Sequence, residues 1–158
     1  MGKVSTLEER LAAARRPERV VDVYLRGDLR AEWDDIEARL QGLGESTSLA
    51  DPERDALVER AKAIEAEFSE SRLSIRLRAL GRADVSSLAT ENGDDGEFGR
   101  ALLAKAIVEP EMTAEQMGKL EDALSAGDYA RLVTAAQNLT FGATSVPFSH
   151  AGSANSRS

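Results

Sequence analysis

The chain contains no cysteine, so neither disulfides nor thiolate metal sites are available to it. Aromatic residues make up only 4% of its 158 positions. That leaves apolar material for one modest core or two small subdomains, and not for a large enzyme with a deep pocket. No apolar run approaches the roughly 20 residues needed to cross a bilayer. The opening stretch MGKVSTLEERLAAARR lacks the apolar centre of a signal peptide, so a cytosolic protein without a membrane partner is expected. Positive charge is also scarce: 20 basic residues face 28 acidic ones, giving a net charge of −8 and only four lysines, Lys3, Lys62, Lys105 and Lys119. A nucleic-acid backbone needs clustered cations that these carboxylates would oppose, so nucleic acid is not an expected partner.

The residues that are present fall into two alternating periods. Ser5 and Glu8 have the form of a capping box for a short helix through TLEERLAAARR, which Pro17 ends. In RVVDVYLRGD, Val21, Val23 and Leu25 alternate with polar positions, the period of a half-buried strand. From Leu29 the spacing becomes helical, with Trp33, Ile36, Leu40 and Leu43 on one stripe. Asp51 and Pro52 then open a second helix striped by Leu57, Ala61, Ile64 and Phe68, and the two helices are expected to pair antiparallel. RLSIRLRALG restores strict alternation through Leu73, Ile75, Leu77 and Ala79, a second strand. A lone strand pair is marginal in water. The two strands are therefore expected to pair and lay their apolar face on the helical hairpin between them.

ADVSSLATEN adds a short helix, and GDDGE reads as a polar boundary. Beyond it, Phe98, Leu102, Ala106 and Ile107 form one helical stripe stopped by Pro110. Thr113 and Gln116 cap a second helix with Met117, Leu120 and Leu124 on its stripe. Past Gly127, Tyr129, Leu132, Val133, Ala136 and Leu139 mark the last. The expected fold is α+β and mostly α. It comprises a helical arm at 1–18, an α+β subdomain at 19–92 built as a two-stranded antiparallel pair on a helical hairpin, a small C-terminal helical bundle at 93–142, and a tail at 143–158 expected to be disordered.

Catalytic chemistry finds no constellation. Asp94, Asp95 and Glu97 invite a calcium reading, but setting Gly93 or Gly96 at the required glycine puts Gly99 or Leu102 where the bidentate Glu belongs. His150, the one histidine, stands in the tail without a partner nearby in sequence. Asp34, Asp35 and Glu37 belong to the solvated side of a helix, and Gly93, Gly96 and Gly99 have the wrong spacing for a dinucleotide turn. No catalytic, cofactor-binding or metal-ligating residue is assigned, and an enzyme is not expected.

The stretch IRLRALGRADVSSLATEN, followed by GRALLAKAIVEPEMTAEQMGKLEDALSAGDYARLVTAAQNLTFGATSVPFSHAGS, resembles the latter half of phage tail assembly chaperones from siphophages of actinobacteria. The resemblance covers residues 72 to 153. It falls on Leu77 to Leu80, on Ile107 to Thr113, on Leu124 to Gly127, on Asn138, and on Val146 to Ser149. The chain departs from the family in the short, proline-free loop before Phe98 and at Leu139 to Phe141, a position commonly Asn-rich.

The resemblance implies a non-enzymatic protein of the host cytoplasm, absent from the mature virion. Its expected partner is the tape measure protein, held soluble while tail tube subunits polymerise around it. It also implies a frameshifted longer form of the same chain that recruits tail tube protein, so tube contact is indirect, and a homo-oligomer is compatible with it. The slip is expected at or near Val146, Pro147 and Phe148, the same triplet being alternatively a short docking element. The residues expected to bind a partner are Leu132, Ala136, Leu139 and Phe141 of the last helix, with Val146 and Phe148 of the tail. A structural tail component retained in the virion is the rival reading.

Overall fold

The computed structural model describes residues 4–44 and 51–142. The tail at 143–158, with Val146, Phe148 and His150, lies outside the described residues. The first helix, α1 (Leu7–Ala13), is opened by Thr6 rather than Ser5: its hydroxyl accepts from Glu9 N while the Glu9 carboxylate accepts from Thr6 N. Ser5 and Thr6 offer the same hydroxyl one residue apart, so the pattern places the cap only to within a residue. Strand β1 (Glu18–Tyr24) follows, then the helices α2 (Gly27–Leu43) and α3 (Pro52–Glu70), then strand β2 (Arg72–Arg78). Asp51 caps α3 by accepting from Glu53 N at 3.0 Å, and Pro52 fills its first turn.

β1 and β2 pair antiparallel from Glu18 opposite Arg78 to Tyr24 opposite Arg72. Pro17 O accepts from Ala79 N and Leu25 N donates to Ser71 O, so the hydrogen-bonded pairs fall at the odd positions of β1. The backbone groups of Val20 and Asp22 therefore point along the free edge. Arg131 covers part of that edge, donating to Asp22 O at 2.8 Å. Val23, Ile75 and Leu77 face inward and are fully buried.

The C-terminal part supplies α4 (Arg82–Glu91), α5 (Asp95–Ala106), α6 (Ala114–Ala123) and α7 (Ala126–Phe141), together with a strand, β3 (Ile107–Glu109), that the helical reading of Ile107 did not anticipate. The helix stops at Ala106, and Ile107 and Glu109 pair with Leu77 and Arg76 on the otherwise open side of β2. A β-branched Ile-Val pair just before Pro110 favours extended backbone, and the unpaired edge of β2 supplies the ladder that decides it. The sheet is thus three-stranded in the order β1-β2-β3.

The α+β, mostly α class holds, but the sheet does not lie on the helical hairpin. Its buried face joins Leu88, Leu102, Leu103, Ala106, Leu120, Leu124, Leu132 and Ala136 in one apolar cluster, which crosses the boundary expected at residues 92 and 93. The hairpin keeps a separate cluster of Leu29, Ile36 and Ile64, flanked by Trp33, Leu40, Leu57, Ala61 and Phe68. Each helix of the hairpin has one narrow apolar stripe, and the partner helix uses it up, leaving nothing to cover the sheet. Gly99 admits the close approach of α5 to α7, since a Cβ there would stand 3.2 Å from Val133 Cγ1. The hairpin meets the sheet where Tyr24 stacks on Phe68, with ring centroids 4.3 Å apart.

Candidate functional site

Of the residues expected to bind a partner, Leu132 and Ala136 are fully buried in the main core, so they cannot offer a docking surface without opening it. Both lie on the stripe that α7 turns toward the sheet, and an apolar stripe looks the same in sequence whether a core or a partner covers it. Leu139 is half-buried against that core. Phe141 is 58% exposed and stacks on Phe98 with centroids 6.5 Å apart. Val146 and Phe148 lie outside the described residues.

Of the acidic trio, Asp94 caps α5 and the other two lie in its first turn. Asp94 Oδ1 accepts from Glu97 N at 2.7 Å, and Asp95 and Glu97 stand in the first turn, where the helix dipole favours negative charge. Among the described residues no group of three His, Cys, Asp or Glu side chains is placed to hold a metal, and no helix is long and apolar enough to cross a membrane.

Among the concavities of the described residues, two touch the C-terminal part of the chain. The larger, about 660 Å³, opens at the foot of the hairpin, between Tyr24 and Phe68 on one side and Ser125, Asp128 and Arg131 on the other. Its polar groups are largely engaged: Ser125 caps α7 by accepting from Asp128 N, and Arg131 holds Asp22 O. Beside it Arg26 donates to both carboxylate oxygens of Asp28 at 3.0 Å, which holds Asp28 below the usual carboxylate range. These contacts are local or lie between α7 and β1, and they leave little polarity for a ligand.

The second is an open apolar groove of about 470 Å³ between α5 and α6. Its walls are Ala101 and Ala104 on α5, Ala114, Met117 and Gly118 on α6, and Tyr129 at its end. Small residues three or four apart on each helix leave the space unfilled, a spacing that the sequence shows without marking it as a groove. Arg100 and Glu121 bridge across the rim. The Tyr129 hydroxyl is buried at that end, beside the Arg100 guanidinium. Burial, and then the Glu121 carboxylate, push its phenol above the ordinary value, while Arg100 pulls the other way. Chemically the groove can take aliphatic or aromatic side chains, and its rim can pair with charges of either sign.

No family model matches the chain, and searches of curated proteins and of solved structures find no match.

Proposed function

We propose that this chain is a tail assembly chaperone of the siphophage type. In this reading it works in the host cytoplasm without catalysis and is absent from the mature virion. It binds the tape measure protein and keeps that long helical client soluble while tail tube subunits polymerise around it. A frameshifted longer form of the same chain brings in the tube subunits. The observation that carries the reading is the ordered set of motifs between residues 72 and 153, above all Ile107 to Thr113 and Val146 to Ser149.

The α5/α6 groove supports it physically. An amphipathic client helix binds by laying its apolar anchors into such a groove, and Phe141 is a further exposed apolar side chain on α7. The net charge of −8 keeps a loaded complex from associating further. Co-expression with a tape measure fragment tests the proposal. The fragment should move to the soluble fraction and co-purify with the chain, and a fragment left as insoluble as before refutes the client.

The rival, a structural tail component held in the virion, is favoured by one observation: an exposed apolar face on α1, which suits assembly into a ring. Mass spectrometry of purified particles separates them, since recovery in stoichiometric amount would sink the chaperone reading.

A further inference from the structure

The α2–α3 hairpin keeps its apolar cluster apart from the one beneath the sheet, and two helices alone do not close the seam between them. Trp33, Ile36 and Leu40 of α2 meet Val58 and Ala61 of α3 along a furrow of about 310 Å³. Ile36 is 7% exposed, and the other four are half-buried. A cavity of about 120 Å³ that shares Trp33 and Glu65 carries the furrow on to Leu29 and Phe68. From Leu40 to Leu29 it follows α2 for about 16 Å at 1.5 Å per residue. That length takes the spaced apolar anchors of a partner helix.

Charge decides what kind of helix fits. α2 and α3, with 17 and 19 residues, together carry 11 carboxylates and five cations, so the hairpin holds six of the chain's eight net negative charges. Three of those cations are already engaged, Arg30 with Asp34, Arg60 with Glu32 and Lys62 with Glu59. Glu37 stands on the α2 side of the furrow and Glu65 on the α3 side. Both are exposed, and neither pairs with a cation among the described residues. An apolar furrow between two uncompensated carboxylates repels an acidic segment and favours one that brings cations to both rims. Lysine and arginine suit those places, since their stems lie along apolar surface while the charge stays in water. The furrow's own aromatic ring already accepts such a group, the Arg30 guanidinium standing 5.3 Å from the centre of Trp33. We infer that the hairpin furrow receives an amphipathic helix of a partner protein whose apolar face is flanked by lysine and arginine. The inference rests on α2 and α3 alone, and not on the α5/α6 groove or the tape measure client.

The sole tryptophan lies in the furrow, so its fluorescence reports occupancy directly. The probe is a helical peptide of about 18 residues with leucine on one face and lysine on the other. One control peptide carries serine in place of leucine, and another carries glutamate in place of lysine. The leucine–lysine peptide should move Trp33 emission to shorter wavelength, and its affinity should fall at least about tenfold between about 0.05 and about 0.5 M salt. Glu37→Lys with Glu65→Lys changes only exposed side chains and should weaken binding about tenfold or more. Glu91→Lys with Glu111→Lys makes the same change of charge at exposed positions away from the hairpin, and should weaken it less than about threefold. Equal weakening by the two pairs overturns the inference, as does a leucine–lysine peptide that fails to bind or binds without moving Trp33 emission. Binding of either control peptide as tightly as the probe overturns it too. A shift of Trp33 emission on concentrating the chain without peptide gives the furrow to a second copy and likewise overturns it. None of these outcomes bears on whether a tape measure fragment is solubilised.

Discussion

Replacing Ile64 by alanine should open the helical hairpin while leaving the rest of the protein folded. Ile64 is 1% exposed and sits at the centre of the smaller apolar cluster with Leu29 and Ile36. The substitution removes three carbon groups at about 0.8 kcal/mol each and leaves a cavity. A loss of about 3 kcal/mol follows, within the range of about 2–5 kcal/mol found for such truncations. Because that cluster shares no buried residue with the one under the sheet, the loss is felt in local opening of α2 and α3. At a factor of ten per 1.4 kcal/mol, hairpin amides should exchange roughly a hundredfold faster. Hydrogen exchange read by mass spectrometry measures this directly, with peptides from α7 and β2 expected to change less than about threefold. The single tryptophan, Trp33, lies in the hairpin, so its fluorescence transition in urea should move to lower denaturant ahead of the circular dichroism of the body. Equal acceleration of α7 and hairpin amides would refute the idea of two separately stabilised units.

Three further outcomes follow from particular contacts. Tyr129→Phe should cost about 1 kcal/mol in urea titration, because it removes the buried hydroxyl that lies beside Arg100; a gain of stability would show that the hydroxyl makes no useful bond. Glu32, held below its ordinary value by two hydrogen bonds from Arg60 at 2.9 and 3.1 Å, stabilises the hairpin above the usual carboxylate range and loses that contribution as pH falls through its lowered value. The Trp33 transitions of wild type and Glu32→Gln should therefore differ at pH 7 and converge in strong acid, and a gap that persists there would contradict the assignment. Leu132→Ala should cost about 2–5 kcal/mol, since the side chain is fully buried. Phe141→Ala should cost about 1 kcal/mol or less, because the ring is 58% exposed. Equal losses in a denaturation series would place both side chains in the same environment.

Much of the fold was legible because its signals are local. Alternation at Val21 and Val23 and at Leu73, Ile75 and Leu77 located both long strands and their buried faces. The caps at Asp51 and Thr113 located two helix starts. What the pattern cannot carry is the choice among apolar faces that could meet one another. Hydrophobic periodicity says that Val23 and Ile75 face inward, but not that Leu102 and Leu132, rather than Ile64, lie beneath them. Ile107 shows the same limit, since its place on a helical stripe was overruled by the open edge of β2. The groove was illegible for a further reason: it is defined by side chains that are missing, and alanine and glycine at 101, 104, 114 and 118 suit any helix surface.

The bond from Arg131 to Asp22 O spans 109 residues, and the cluster under the sheet reaches equally far along the chain. At a synthesis rate of about 5–20 residues per second, β1 waits roughly 5–20 s after leaving the ribosome for the helix that seals its edge and covers its face. The α2–α3 hairpin, whose own apolar cluster falls between Leu29 and Phe68, needs no such wait. Long separation of contacts slows the closing of the body, whereas the hairpin forms on the timescale of local helix pairing. The nascent chain therefore carries a finished hairpin on an unfinished body, with Val21 and Val23 uncovered and the β1 edge unpaired until β2 follows it out. The interval in which this protein itself most needs shielding from its neighbours is set by that order of synthesis.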